Sequence, residues 1–268
     1  MFDTYNRQIN YLRVSVTDRC NLRCTYCMPE AGIELKSHAD ILPYEKIVHI
    51  VAAAAKMGIH KIRLTGGEPL VRKNIAFLVR ELKCVPGVSE VSMTSNGTLL
   101  DLLATNLKQA GLDRLNISLD TLDAGKYRQI TRNGDIEKVF AGIGAARKAG
   151  FTATKINMVL IPGFNDNEVK AMKKFCRENG LLLQRIHHYC LQDLKTAQQE
   201  LAAERPLSCH ACNRLRLTAD GKLKPCLFSD REFAVDFADI PASLEKAVQA
   251  KPYHGVACRN RENWQIGG

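Results

Sequence analysis

Aromatic residues are scarce in this sequence, at 6% with a single tryptophan, and long apolar runs are missing. The longest uncharged apolar stretch, Ile47 to Ala55, is interrupted by His49 and falls far short of the ~20 residues that a bilayer span needs. No membrane partner is therefore expected. The opening residues, MFDTYNRQIN, lack the apolar core of a secretory signal, so a cytoplasmic location is expected. The ten cysteines then read as thiols of a reducing compartment, where clustering suggests metal before disulfide. Low-complexity tracts and internal repeats are also absent, apart from a β/α period. What is present is a globular composition, 46% hydrophobic and 25% charged over 268 residues, which excludes disorder and collagen. The formal charge of +10 fits nucleic acid, an anionic surface or a polyanionic small molecule, and does not choose among them.

Short β-rich runs alternate with amphipathic stretches. Strands are expected at Leu12–Thr17, Lys61–Thr65, Val88–Thr94, Arg114–Leu119, Thr154–Leu160 and Leu182–His187. Helices are expected at Tyr44–Met57, Ile75–Leu82, Leu99–Gln109, Ile136–Lys148 and Glu168–Glu178, several stopped by a glycine such as Gly58 or Gly111. Repeated β-then-α units imply a parallel sheet, either closed toward a (β/α) barrel or doubly wound. Side-chain alternation decides between them. Val14 and Val16 oppose Arg13 and Ser15; Ile62 and Leu64 oppose Lys61, Arg63 and Thr65; Ile156 and Met158 oppose Lys155 and Asn157. A sheet covered on both faces would be apolar throughout. One polar face implies a concave interior, so the expectation is an α/β fold, a partial (β/α)6 TIM-like barrel over residues 1–190. Basic side chains pointing into it need a counter-charge, supplied by an anionic ligand or by carboxylates, of which Glu68 and Asp120 are the main candidates on the strands. After residue 190 the pattern breaks. A polar helix is expected at Leu191–Glu204, a hairpin at Arg214–Phe228 turning on Asp220-Gly221, and a helix at Ala242–Gln249. Residues 191–268 are assigned to a C-terminal extension.

Cys20, Cys24 and Cys27 form C-x3-C-x2-C directly after the first strand. Three thiolates are one short of a closed zinc site, whereas a [4Fe-4S] cluster held by three keeps one iron open. With Tyr26 before the third cysteine, this spacing resembles the radical S-adenosylmethionine (SAM) superfamily. The resemblance implies that SAM binds the open iron and is cleaved to a 5′-deoxyadenosyl radical. Gly66-Gly67-Glu68-Pro69, at the mouth of the second strand, resembles the superfamily's SAM-amino motif. A second set, Cys209, Cys212 and Cys226, is spaced C-x2-C-x13-C; alone it fits a zinc ribbon lacking one ligand, and beside the first motif it fits an auxiliary iron-sulfur cluster. Arg214 and Arg216 share one face of the strand that follows Cys212.

Within the superfamily the chain resembles the GTP 3′,8-cyclase family of molybdenum cofactor biosynthesis. The matching stretches are LRVSVTDRCNLRCTYCMP, KIRLTGGEPLVR, MTSNG, DRLNISLD, INMV, CNRLRLTADGKLKPCLF and the Gly-Gly terminus. The resemblance implies two [4Fe-4S] clusters and SAM as cofactors. It implies metal ligation by Cys20, Cys24, Cys27, Cys209, Cys212 and Cys226, with the first three and Arg214 and Arg216 catalytic. SAM contacts fall to Tyr26, Gly66, Gly67, Glu68 and Ser118. GTP contacts fall to Arg13, Lys61, Arg63, Thr94, Lys155, Arg214 and Arg216. Implied partners are an electron donor, cyclic pyranopterin monophosphate synthase downstream and a second copy in a homodimer. Nucleic acid is not an expected partner, because the basic residues point inward; the alternative enzyme is a two-cluster radical SAM protein acting on another nucleotide or a peptide. Two departures stand out. The stretch between Cys190 and Cys209 is shorter than the family's, and Arg185-Ile186-His187-His188-Tyr189-Cys190 replaces its Glu-Phe-Met-type sequence, leaving Cys190 as the candidate to line the cavity there. Adjacent His187 and His188 invite a metal reading, but they point to opposite faces of a strand, so at least one is expected to be packed or exposed and not a ligand.

Overall fold

The computed structural model describes residues 1–192 and 208–267, so most of the helix expected at 191–204 lies outside the described residues. Six parallel strands, β1 (Tyr11–Ser15), β2 (Lys61–Thr65), β3 (Glu90–Ser95), β4 (Arg114–Ser118), β5 (Lys155–Leu160) and β6 (Leu182–His187), pair in sequence order. The sheet does not stop at β1. Strand β7 (Arg214–Leu217) pairs in parallel with β1, and antiparallel β8 (Lys222–Lys224) and β9 (Phe233–Ala234) complete a nine-stranded sheet in the order 6-5-4-3-2-1-7-8-9. Residues beyond 208 thus extend the same sheet. The expected hairpin at Asp220-Gly221 joins β7 to β8, with Gly221 at φ 78° where the turn needs a left-handed residue.

The apolar strand faces form the core. Leu12, Val14, Ile62, Leu64, Val91, Met93, Leu115, Ile117, Ile156 and Met158 are all buried. Helices α1 (Tyr44–Lys56), α2 (Ile75–Lys83), α3 (Leu100–Gln109) and α5 (Ile136–Lys148) cover that face. In α1 the buried residues Ile47, Ile50, Val51 and Ala54 fall at i, i+3, i+4 and i+7, the stripe of an amphipathic helix. At about 1.5 to 3 kcal/mol for each large apolar side chain buried, this layer dominates stability, and truncating Ile62 to alanine would cost about 2 to 5 kcal/mol. The opposite face carries Arg13, Arg63, Asn116, Lys155 and Asn157, which line a cavity.

Helix α6 (Val169–Glu178) precedes β6, and α7 (Ile240–Gln249) and the short α8 (Asn263–Ile266) follow the sheet. Helix α4 (Ala124–Thr131) has no counterpart among the expected elements. Its sequence AGKYRQIT is polar with weak apolar periodicity, and it is fixed by Asp123, whose side chain accepts from Lys126 N at 2.7 Å. No helix among the described residues is long and apolar enough to cross a membrane.

Candidate active site

The loop after β1 is shaped from both sides. Thr25 N donates to the Ile130 carbonyl at 2.8 Å, and Arg132 Nη1 donates to the carbonyls of Arg23 and Met28 at 3.0 and 2.8 Å. Helix α4 and its C-terminal Arg132 therefore clamp the first cysteine set. On the other side Gly67 N donates to Thr17 O and Glu68 N to Arg19 O, both at 2.8 Å. A Cβ on Gly66 would meet Thr17 O at 2.6 Å, and one on Gly67 would strike Arg19 O, so only glycines allow the two loops to touch.

Cys20, Cys24 and Cys27 face one cavity with Tyr26, Gly66, Gly67, Glu68 and Ser118, which gathers every residue expected to serve SAM. Among the described residues no three His, Cys, Asp or Glu groups are placed to hold a single metal ion. The thiols nonetheless raise one another's proton affinity across the cavity. Burial pushes Cys20 up to about 11, with Glu68 adding to it; burial and then Asp120 push Cys24 well up; burial, Cys20 and Glu262 push Cys27 up to about 12. Three inward thiols over a glycine cradle fit an iron-sulfur cluster with an open iron. Glu68 holds the rim by its carboxylate: Oε1 accepts from Leu70 N and Ser95 Oγ at 3.0 and 2.9 Å, and Oε2 from Asn96 N at 2.6 Å. Burial raises it to about 7 despite those donors. Tyr26 donates to Asp120 Oδ2 at 2.7 Å while Asp120 Oδ1 accepts from Val159 N at 2.8 Å.

A second, wider cavity is lined by Arg13, Lys61, Arg63, Lys155, Arg214 and Arg216. It adjoins the first at Asn157, Ile186 and Tyr189, which line both. Strand register sets its charge: Arg13 is opposite Arg63 on β2 and opposite Arg216 on β7, so three arginines sit side by side on strands whose backbones lie about 4.8 Å apart. Burial pulls Arg13 down to about 9, and Arg216 beside it adds like charge. Arg214 Nε is buried with no hydrogen-bond partner among the described residues. Such a row is costly without an anion. The carbonyl of Gly267 accepts from Arg13 Nη2 at 3.1 Å and from Arg216 Nη1 at 3.0 Å, which brings the C-terminal tail to the same arginines.

The structure places several of the expected residues differently in detail. Lys61 was expected inside, but as the first residue of β2 it is exposed at the rim. Thr94 lies on the cysteine cavity, its Oγ1 buried without a hydrogen-bond partner among the described residues, because it sits one residue from the C-terminal end of β3. Cys190 is exposed and donates to Gln192 Oε1 at 2.8 Å; His187 and His188 both border the cavity, and His188 is exposed, as expected of at least one of the pair. His188 stands edge-on to Tyr26 at 6.1 Å. The carboxylate at the basic cavity is Glu90, 3.2 Å from Arg114, and not Glu68 or Asp120.

The second cysteine set adjoins the basic cavity along the chain: Cys212 precedes Asn213 and Arg214, and Cys226 precedes Leu227, all of which line it. Cys212 N donates to Cys209 O at 3.1 Å. Burial alone would raise Cys212, but Lys251 and Arg214 beside it bring it down to about 7. Neither Lys251 nor Arg7 has a sequence signal of its role: a lysine just past a helix reads as an ordinary C-terminal cation.

The radical SAM superfamily pattern matches residues 14–176, more than half of the chain. The GTP 3′,8-cyclase of Moorella thermoacetica is 45% identical over 303 residues, covering 94% of each chain. That of Pelotomaculum thermopropionicum is 39% identical over 325 residues, covering all of both. The chain belongs to the GTP 3′,8-cyclase family. An alignment of 325 positions against 268 residues agrees with a stretch that this cyclase family member lacks. Among solved structures, native anSMEcpe with bound AdoMet superposes with a TM-score of 0.65 at 15% identity over 91% of this chain and 81% of that one. SuiB of Streptococcus suis bound to S-adenosylmethionine gives 0.60 at 18% identity over 82% of this chain and 60% of SuiB. These two establish the fold of the cyclase, a TIM-like partial barrel.

Proposed function

We propose that this chain is a GTP 3′,8-cyclase that converts GTP to (8S)-3′,8-cyclo-7,8-dihydroguanosine 5′-triphosphate, with two [4Fe-4S] clusters and SAM. One observation carries the reading: a basic cavity adjoins a three-cysteine cavity through shared walls at Asn157, Ile186 and Tyr189. Cys20, Cys24 and Cys27 would hold the first cluster, with Tyr26, Gly66, Gly67 and Ser118 around SAM; Cys209, Cys212 and Cys226 would hold the second. When bound, SAM and a reduced cluster would supply a radical that takes the ribose 3′ hydrogen; C3′ would then bond to guanine C8, and one electron from the donor with one proton would convert the resulting nucleotide radical to the 7,8-dihydro product. The chain supplies position and exclusion of water. Arg13, Arg63, Lys155, Arg214 and Arg216 would take the triphosphate, with Lys61 at the entrance and Thr94 nearer the reacting ribose. Glu68 acts by holding the rim through Leu70, Ser95 and Asn96.

An electron donor, a downstream cyclic pyranopterin monophosphate synthase, a homodimer and a cytoplasmic setting belong to the same proposal, as does the division into residues 1–190 and 191–268. The test is anaerobic reconstitution followed by SAM, reductant and either GTP or ATP. GTP should give 5′-deoxyadenosine and the cyclised nucleotide; no GTP-dependent 5′-deoxyadenosine overturns the proposal.

A further inference from the structure

Lys251 follows α7 and is only 3% exposed. Its Nζ donates to Arg214 O and to Pro225 O, both at 2.8 Å. Those carbonyls belong to the residue two after Cys212 and the residue immediately before Cys226, so one ammonium ties together the two backbone segments that carry these cysteines. An ammonium has three donors, and beside it stands the Cys212 thiol, on which its charge acts. The cation next to it is differently supplied. Arg7 donates from Nε to Asp3 Oδ2 at 2.6 Å and from Nη1 and Nη2 to the carbonyls of Cys209, Tyr253 and Pro252. Arg7 therefore has a carboxylate of its own, while among the described residues no Asp or Glu forms an ion pair with Lys251. A buried ammonium held by carbonyls beside a thiol needs a negative charge nearby, and the groups placed to provide one are the sulfurs of Cys212 and Cys226.

We infer that Lys251 is a positioning residue of the second cluster: it holds the Cys212 and Cys226 segments in ligating register and compensates the charge of the thiolate-bound iron-sulfur group. This rests on the reading that the second cysteine set binds a cluster. A fixed positive charge favours the more reduced, more negative form of the group beside it, so its removal makes reduction harder. Charge-assisted contact to sulfur is also among the levers by which a protein sets a cluster's potential.

The test uses reconstituted protein with Lys251→Gln, which keeps hydrogen-bond donors without the charge, and Lys251→Met, which keeps the length alone. Iron and sulfide are counted, and the second cluster is titrated electrochemically with Cys24→Ala as background to silence the first. Lys251→Gln should retain the cluster but shift its reduction equilibrium at least tenfold toward the oxidised form, about 59 mV for one electron. Lys251→Met should lose iron from the second set, and Lys251→Arg should restore loading. If Gln and Met both load the second cluster at the wild-type potential, the role of Lys251 is overturned. If both variants lose it, retention in Lys251→Arg supports the requirement for charge, and loss there too overturns it in favour of packing. Wild-type protein holding only the iron of one cluster would instead sink the underlying reading of the second set.

Discussion

The two cysteine sets use the same ligand chemistry in opposite electrical surroundings. At Cys20, Cys24 and Cys27 burial is the first cause of the upward push, and a carboxylate adds to it at each: Glu68 at Cys20, Asp120 at Cys24 and, after Cys20, Glu262 at Cys27. At Cys212 and Cys226 burial also acts upward and Cys226 is raised, but cations oppose it: Lys251 and Arg214 bring Cys212 down, and Lys251 and Arg216 act downward on Cys226. Only thiolates ligate metal. In the first set the bound iron itself must drive deprotonation, whereas in the second the protein has already biased Cys212 toward it. Under the proposed function the difference suits two tasks: a cluster that would give up an electron to SAM gains from negative surroundings, and one beside a bound triphosphate would gain from positive ones.

Breaking the first set has the largest expected effect. Cys24→Ala should abolish 5′-deoxyadenosine formation, while iron analysis still finds the cluster of the second set, about four irons in place of about eight. Loss of all iron would show that the two sets are not independent. Next comes the cationic side. Arg214→Ala with Arg216→Ala removes two charge-assisted contacts, each about 1.5 to 3 kcal/mol, so GTP affinity should fall at least a hundredfold in equilibrium dialysis while SAM binding is unchanged. Equal losses for both ligands would contradict separate cavities.

The carboxylate side is tested by pH. Burial raises Glu68 to about 7 in the folded chain, above its ordinary 4.5, so the folded state binds this proton more tightly than the unfolded one. Its contribution is therefore full below about pH 4.5 and is lost as pH rises toward 7. Unfolding measured across that window should show stability declining by roughly 2 to 3 kcal/mol from this group, and Glu68→Gln should flatten the decline. An unchanged slope would remove Glu68 from the account. The smallest effect is expected from Tyr26→Phe. It deprives buried Asp120 of one donor at 2.7 Å and should cost about 1 to 2 kcal/mol of stability, leaving both clusters loaded.

Much of this was legible in the sequence because two periodicities carried it. Strand alternation separated Ile62 and Leu64 from Arg63, and the structure puts the first two in the core and the third on the cavity. Spacing alone grouped Cys20, Cys24 and Cys27. What stayed hidden depends on contacts distant in sequence. That β7 would lie beside β1, and not in a sheet of its own, follows from pairing across about 200 residues, for which no local pattern exists. Helix α4 lacked the apolar stripe by which helices are recognised, and Lys251 looked like any solvated lysine until the fold enclosed it. That Thr94 lines the cysteine cavity was not legible, because strand position gives a face but not a depth along the barrel axis.

The arginine row crosses three strands whose order in space differs from their order in the chain. Arg63 and Arg13 come from early strands, and Arg216 arrives on β7, held in step by Asn213 Nδ2 donating to Asn10 Oδ1 at 2.8 Å. A slip of β7 by one position would set a leucine, Leu215 or Leu217, in the row. During synthesis the loop meant for the radical cofactor emerges long before the strand that completes the substrate's anchor. The arginine row is complete only once β7 has paired with β1, so the basic cavity is the part of the site that waits for nearly the whole chain.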